Sequence, residues 1–230
     1  MNNEETGIDP GSKLAKRAPR YLGAAFLVVI VTSLLYGTVF KFSGSISDIL
    51  KHVAGHQALL RLDILFGLLN SVGVIFLATL LYVVLRKQSR TLAIAALICW
   101  ICEAVLQAVC CIGDFALIPL SVDFVGAGST PNPFYQTLGT FLHGGLRVQG
   151  MLMHMWFYCV GGLLWYYLFY KSRYLPRALS ILGIVAVIAG LFGTVFQIFG
   201  YDVQMYPYVL IGVFEFLAGA WLAVRGARWL

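Results

Sequence analysis

Six long apolar runs divide this chain, and they constrain its fold more than any other feature of the sequence. The runs cover residues 21–40, 63–85, 91–113, 147–170, 176–199 and 207–224. A helix needs about 20 apolar residues to cross the hydrocarbon core of a bilayer. Strands are excluded because the runs lack apolar–polar alternation and because an open sheet edge has no hydrogen-bond partners in lipid. The runs therefore predict an all-α, polytopic membrane helix bundle with about six transmembrane helices.

The composition excludes a soluble protein. Only 11% of the residues are charged and 60% are hydrophobic, with a mean hydropathy of +0.85, whereas a soluble domain carries about 25% charged residues. The first run ends without the small residues of a signal-peptide cleavage site, so we predict that it is retained as a span. We expect a polar cytoplasmic segment at residues 1–20 and one transmembrane domain at 21–230.

The placement of basic residues predicts the orientation. Twelve of the sixteen Lys and Arg residues fall on the side of the N-terminus when six spans are counted, and basic loops stay in the cytoplasm. Both termini are therefore predicted to be cytoplasmic.

The net charge of +6 is interpreted as anchoring of the protein to anionic headgroups rather than binding to nucleic acid. An aromatic belt is predicted at the same interface by Trp165, Tyr166, Tyr167, Tyr170 and Tyr174.

The connections between the runs carry their own signals. Ser45 and Asp48 have the spacing of a capping box, which predicts a short interfacial helix near residues 45–60. Glycines and prolines in the segment 121–136 predict a loop. An amphipathic stretch then leads toward the fourth span, where Gly144 and Gly145 predict a break or kink.

Small residues on the last two spans predict where helices approach closely, since lipid removes the hydrophobic drive for association. The small positions are Ala186, Ala189, Gly190, Gly193, Gly212 and Gly219.

Polar residues inside the spans are the candidates for function, because each costs about 2.5–3.5 kcal/mol at the bilayer centre unless it is shielded. Helical spacing places them on one stripe per helix, so we expect them to face inward. Glu103 and Glu215 are predicted near the middle of the membrane. The candidate ligand-binding residues are Asn70, Glu103, Gln107, Asp114, His143, Arg147, His154, Tyr158 and Glu215.

Structural roles compete with function at several of these positions. Arg147 is expected to pair with Asp63 or Asp114 and so to clasp the bundle. Asn70 and Gln107 are equally suited to hydrogen bonds between helices. No tight His or Cys spacing of a metal site and no cofactor-binding motif occurs in the sequence, so we predict neither a metal nor a cofactor.

The chain resembles the bacterial domain-of-unknown-function family 4386 from residue 21 onward. The resemblance is carried by RTLA at 90–93, EA at 103–104, YKSRYLPR at 170–177, LG at 182–183 and GVFE at 212–215. It implies a multi-pass protein of the cytoplasmic (inner) membrane of a bacterium, with Glu103 and Glu215 at positions where relatives also carry acids. It brings no established activity, so no catalytic residue is carried over. His143 and His154 are not features of the resemblance.

Three functions remain open from the sequence. The first is binding of a small hydrophobic or lipid-like ligand in a polar-lined cavity that opens to the non-cytoplasmic side. The second is an intramembrane enzyme acting on an isoprenoid or lipid, with Glu103 as acid or base, His154 as its partner and Glu215 stabilising positive charge. The third is a proton-coupled carrier that uses the same carboxyl groups. Besides the lipid bilayer, the sequence identifies no partner and no oligomeric state.

Overall fold

The computed structural model describes residues 13–130, 132–203 and 206–225, and its regular structure within these ranges is helical. Residues 1–12 of the predicted polar segment lie outside the described residues. The helices are α1 (Lys13–Leu35), α2 (Ile46–Gly55), α3 (Gln57–Leu85), α4 (Arg90–Gly126), α5 (Pro133–Thr140), α6 (Gly150–Ser172), α7 (Arg177–Ile198) and α8 (Tyr206–Arg225). A π-helical segment, Phe141–Gln149, joins α5 to α6.

Five helical stretches within the described ranges are long and apolar enough to cross a membrane, which confirms a multi-pass helical protein. They are Gln57–Leu85, Arg90–Gly126, Pro133–Ser172, Arg177–Ile198 and Pro207–Val224. The first predicted span, at 21–40, differs at its end, because α1 stops at Leu35; its apolar part covers Tyr21–Leu35. The chain turns at Gly37, which has a φ of +84°, and the Gly37 amide donates to Asp63 Oδ1 at 2.7 Å.

The predicted short helix is present as α2, and it ends earlier than expected. Ser45 caps it as predicted, since its side chain accepts from the Asp48 amide while the Asp48 side chain accepts from the Ser45 amide. The apolar face of α2 buries Ile49, Leu50 and Val53. The helix stops at Gly55, and residues 57–60 belong to α3 instead.

The prediction of a loop at 121–136 is wrong at both ends, because α4 continues to Gly126 and α5 begins at Pro133. The continuation has an apolar face of its own, and Leu117, Leu120 and Phe124 on it pack against α2 and α5. Pro119 lies inside this helix. With 37 residues, α4 extends about 55 Å at 1.5 Å per residue, which exceeds the roughly 30 Å hydrocarbon core. The end of α4 therefore forms a small cap on the bundle together with α2 and α5.

The Gly144–Gly145 pair lies within the π-helical segment rather than at a break. A π-helical turn widens the helix locally and changes which residues share a face. The helical run is continuous from Pro133 to Ser172, so the fourth span begins well before residue 147.

The bundle places α4 between α3 and α6, while α1 packs on α3 and α8, and α7 packs on α6 and α8. Glycines lie where these helices approach each other closely. A Cβ added at Gly219 would meet Phe26 Cβ of α1 at 3.0 Å, and one added at Gly190 would meet Ile211 of α8 at 2.7 Å. The prediction for Gly212 is wrong, because a Cβ there would meet nothing within 4 Å; this glycine is exposed on the outside of α8.

Candidate functional site

Polar side chains from several helices meet inside the bundle in two clusters. The arginine cluster consists of Arg147, Asp63, Asp114, Tyr36 and Phe42. The acid cluster consists of Glu103, His154, Tyr158, Tyr166 and Glu215. Burial follows the predicted stripes, since Asp63 and Asp114 are 0% exposed and Glu103 is 1% exposed.

Arg147 is the centre of the arginine cluster, and it binds both acids that the sequence offered as partners. Its guanidinium forms an ion pair with Asp114, and its Nη2 lies 3.4 Å from Asp63 Oδ2. The Tyr36 and Phe42 rings lie against the guanidinium, with centroids 5.0 Å and 4.4 Å from Cζ. These contacts join α3, α4 and the π-helical segment to the chain that follows α1. They match the clasp role predicted for Arg147.

His143 lies beside the arginine cluster and apart from the acid cluster. Its ring is 4.7 Å from the Phe42 ring, and its buried Nδ1 has no hydrogen-bond partner. The predicted stripe of the fourth span therefore divides between two clusters, His143 and Arg147 in one place and His154 and Tyr158 in the other. The π-helical turn between them accounts for the altered spacing.

Hydrogen-bonded amides lie between the two clusters. Asn70 Nδ2 donates to Gln107 Oε1 at 3.0 Å, and Thr32 donates to Asn70 Oδ1 at 2.9 Å. Gln107 in turn donates to the Gly67 carbonyl at 3.4 Å. Such bonds are worth about 0.6–2 kcal/mol each inside a membrane bundle. They link α1, α3 and α4 along one line.

Glu103 and His154 form the first half of the acid cluster. His154 Nδ1 lies 3.3 Å from Glu103 Oε1 and 3.3 Å from the Glu103 carbonyl oxygen. Glu103 Oε2 is buried and has no hydrogen-bond partner. Glu103 therefore has one carboxyl oxygen in contact with the His154 imidazole and one buried carboxyl oxygen without a hydrogen-bond partner.

Glu215 and two tyrosines form the second half. Tyr158 donates to Glu215 Oε1 at 2.5 Å, and the Tyr158 and Tyr166 hydroxyls are 3.1 Å apart. Glu103 and Glu215 therefore contact side chains one turn apart on α6, His154 and Tyr158. Among the described residues, neither carboxyl group forms an ion pair with a Lys or Arg side chain.

Sequence reasoning missed Tyr166, which it assigned to the aromatic belt. Trp165 and Tyr166 are 0% exposed, and the Tyr166 ring packs on Phe214 at 4.3 Å. A partial signal was present, because Tyr158 lies about one turn after His154 and Tyr166 about two turns after Tyr158. Trp100 was also missed; its Nε1 donates to the Tyr158 carbonyl at 3.1 Å.

One pocket among the described residues lies outside both clusters. It is lined by Ile64, Leu68, Ala108, Cys111, Ile112 and Phe115. These residues are apolar apart from the Cys111 thiol, so this pocket is not the polar-lined cavity that the sequence predicted. Within the described part of the chain, no three His, Cys, Asp or Glu side chains are close enough together to hold a metal ion.

Comparison with known proteins gives one family. Residues 21–226 match the family described as Domain of unknown function (DUF4386). No curated protein and no solved structure matches the chain. The match covers almost the whole helical domain, including both clusters, and the chain belongs to the DUF4386 family.

Proposed function

We propose that this protein is a proton-coupled membrane carrier, in which the acid cluster takes up and releases a proton. The observation that carries the proposal is that Glu103 and Glu215 contact His154 and Tyr158, one turn apart on α6, and that among the described residues neither acid forms an ion pair with Lys or Arg. Two negative charges in a low-dielectric interior repel each other strongly. A proton shared within the cluster removes that repulsion, and His154 is in contact with Glu103 to exchange it.

The surroundings of the cluster support exchange toward one side. Gln107, Asn70 and Thr32 continue the polar line from Glu103 toward Arg147. On the other side of the cluster the bundle is apolar, with Leu81, Leu85 and Phe169 all fully buried. A carrier exposes its central site to one side at a time. The ion pairs of Arg147 would then close the polar side until they rearrange.

Infrared spectroscopy tests the proton site without any knowledge of the substrate. Difference spectra of the reconstituted protein between acidic and alkaline buffer should contain a protonated carboxyl band, and Glu103→Gln should remove or shift it. Asp123→Asn is the matched control, because Asp123 is an exposed acid on the same helix. A band that is equal in the wild type and Glu103→Gln would contradict the proposal.

Transport is tested separately with a pH-sensitive dye inside vesicles that contain the protein. Candidate substrates should change the lumen pH in the wild type and in Asp123→Asn, and Glu103→Gln should abolish the change. A flat trace for every substrate would exclude the carrier while leaving the proton site to the infrared measurement.

Glu103 Oε2, which is buried without a hydrogen-bond partner, favours a second function, the binding of a small hydrophobic ligand. A buried acceptor without a donor is unfavourable by about 1–3 kcal/mol, and a ligand hydroxyl or amine would satisfy it. Mass spectrometry of small molecules retained on the purified protein tests this function. A ligand that stays bound to the wild type and is partly lost from Glu103→Gln would support it, and empty protein in both would contradict it. The intramembrane enzyme remains a prediction of the sequence.

A further inference from the structure

A groove runs along the outer surface of α3 and α4, and its lining includes no residue of the two polar clusters. Ile64 and Leu68 line it from α3, and α4 contributes residues that include Ala108 and Phe115. Its volume is about 320 Å³. Leu68 is 43% exposed and Phe115 is 51% exposed, so the groove opens outward from the bundle, where lipid chains lie.

One end of the groove carries a positive charge. Arg61 is exposed, and its Cζ lies 5.6 Å from the centroid of the Phe115 ring. Arg61, Ile64 and Leu68 are spaced by three and four residues, so they share one face of α3. Seven residues at 1.5 Å per residue place Arg61 about 10 Å from Leu68 along the helix. The groove is therefore apolar along its length and cationic at one end.

The charge of Arg61 is not neutralised by the acids nearby. Asp63 is two residues away, but its carboxyl group accepts from Arg147 and from the Gly37 amide. Among the described residues, Arg61 forms no ion pair of its own. Its contact with Phe115 holds the guanidinium at the mouth of the groove, where a headgroup phosphate could reach it.

We propose that this groove binds one acyl chain of an anionic phospholipid, with Arg61 contacting the phosphate group. Guanidinium and phosphate form strong, geometrically matched hydrogen bonds. Arginine near a helix end extends to headgroup depth while its stem stays on apolar surface. The acyl chain would fill the groove by dispersion contacts with Ile64, Leu68 and Phe115.

Native mass spectrometry with two lipids of equal chain length tests whether the charge of Arg61 selects an anionic headgroup. The protein is incubated with equal amounts of phosphatidylglycerol and phosphatidylcholine, and the bound copies of each are counted. The wild type should prefer phosphatidylglycerol, and Arg61→Gln should reduce that preference about fivefold, since one basic residue near an anionic surface is worth about this much. The matched control is Arg86→Gln, because Arg86 also lies over an aromatic ring, Tyr82, at the other end of α3.

A bulky side chain placed in the groove tests whether an acyl chain occupies it. Ala108→Phe should displace bound phosphatidylglycerol while Arg61 is intact, and an unchanged thermal unfolding temperature shows that the variant is folded. Ala108→Gly, which adds no volume, should bind as the wild type does.

Three outcomes would overturn the proposal. The first is equal binding of the two lipids by the wild type, which would mean that only non-selective surrounding lipid occupies the groove. The second is an equal loss of preference in Arg61→Gln and Arg86→Gln, which would reduce the effect to overall charge. The third is full lipid binding by a folded Ala108→Phe, which would leave Arg61 as a headgroup contact without a groove.

Discussion

The two ends of the bundle are stabilised by different chemistry. At the arginine-cluster end, buried charges and amides from four segments of the chain bind one another. At the opposite end, Lys171 Nζ in the last turn of α6 donates to the Gln88 carbonyl between α3 and α4 at 3.0 Å. The interior there consists largely of aliphatic and aromatic side chains. In lipid, apolar packing alone gives little preference between helix arrangements, because lipid tails are as apolar as leucine. The polar end therefore specifies which helices meet, and the apolar end depends on how closely they approach.

Removing the centre of the arginine cluster should have the largest effect. We expect Arg147→Met to lower the free energy of unfolding by about 3–5 kcal/mol, because two buried carboxylates lose their counter-charge. Denaturation of the detergent-solubilised protein measures the loss. Adding Asp63→Asn and Asp114→Asn to the same protein should restore most of it, since no buried charge then remains unpaired. If Arg147→Met is as stable as the wild type, charge pairing does not stabilise this end.

Adding a side chain where two helix backbones approach closely at the opposite end should have the next largest effect on stability. A Cβ added at Gly23 of α1 would lie 2.8 Å from the Gly219 carbonyl oxygen of α8, and backbone cannot move aside. We expect Gly23→Ala to destabilise the protein by about 1–3 kcal/mol. Gly212→Ala is the control, because its Cβ meets nothing and alanine favours the helix. Equal stability of the two variants would show that α1 and α8 do not approach closely.

The amides between the clusters should contribute less. A double-mutant cycle with Asn70→Leu and Gln107→Leu should give a coupling energy of about 0.6 kcal/mol and at most about 1.7 kcal/mol. Thermal unfolding of the four proteins measures it. Additive effects of the two substitutions would mean that the hydrogen bond does not join α3 to α4 in the membrane.

The smallest effect should come from the capping box of α2, outside the spans. Hydrogen bonds from the Ser45 hydroxyl and amide hold the pKa of Asp48 below its ordinary value. A lowered pKa in the folded state means that the stabilisation is present at neutral pH and is lost as the pH falls through that pKa. We expect Asp48→Asn to be less stable than the wild type at neutral pH, with the difference closing in acid. Protease resistance of the Ser45–Gly55 region across the pH range measures this, and a difference that grows in acid would contradict the prediction.

Much of the fold was predictable because its signals are local. Hydropathy and helical spacing located the later spans to within one or two residues at α7 and α8, and they indicated that Glu103, Gln107 and Asp114 face inward. Two helix ends were not predictable in the same way. α1 ends at Leu35 because the following chain binds Asp63, and α4 continues to Gly126 because α2 and α5 cover its apolar face. Both reasons lie in other parts of the chain.

The sequence by itself determined that this is an all-helical membrane protein of the DUF4386 family with acids inside its bundle. Only the tertiary structure decided which partners those acids have. Arg147 meets Asp114 across 33 positions and Asp63 across 84, and His154 meets Glu103 across 51. Helical periodicity states which way a side chain points, but it carries no information about the neighbouring helix. The π-helical turn and the packing of α8 then separated His143 from the acid cluster and brought Glu215 into it.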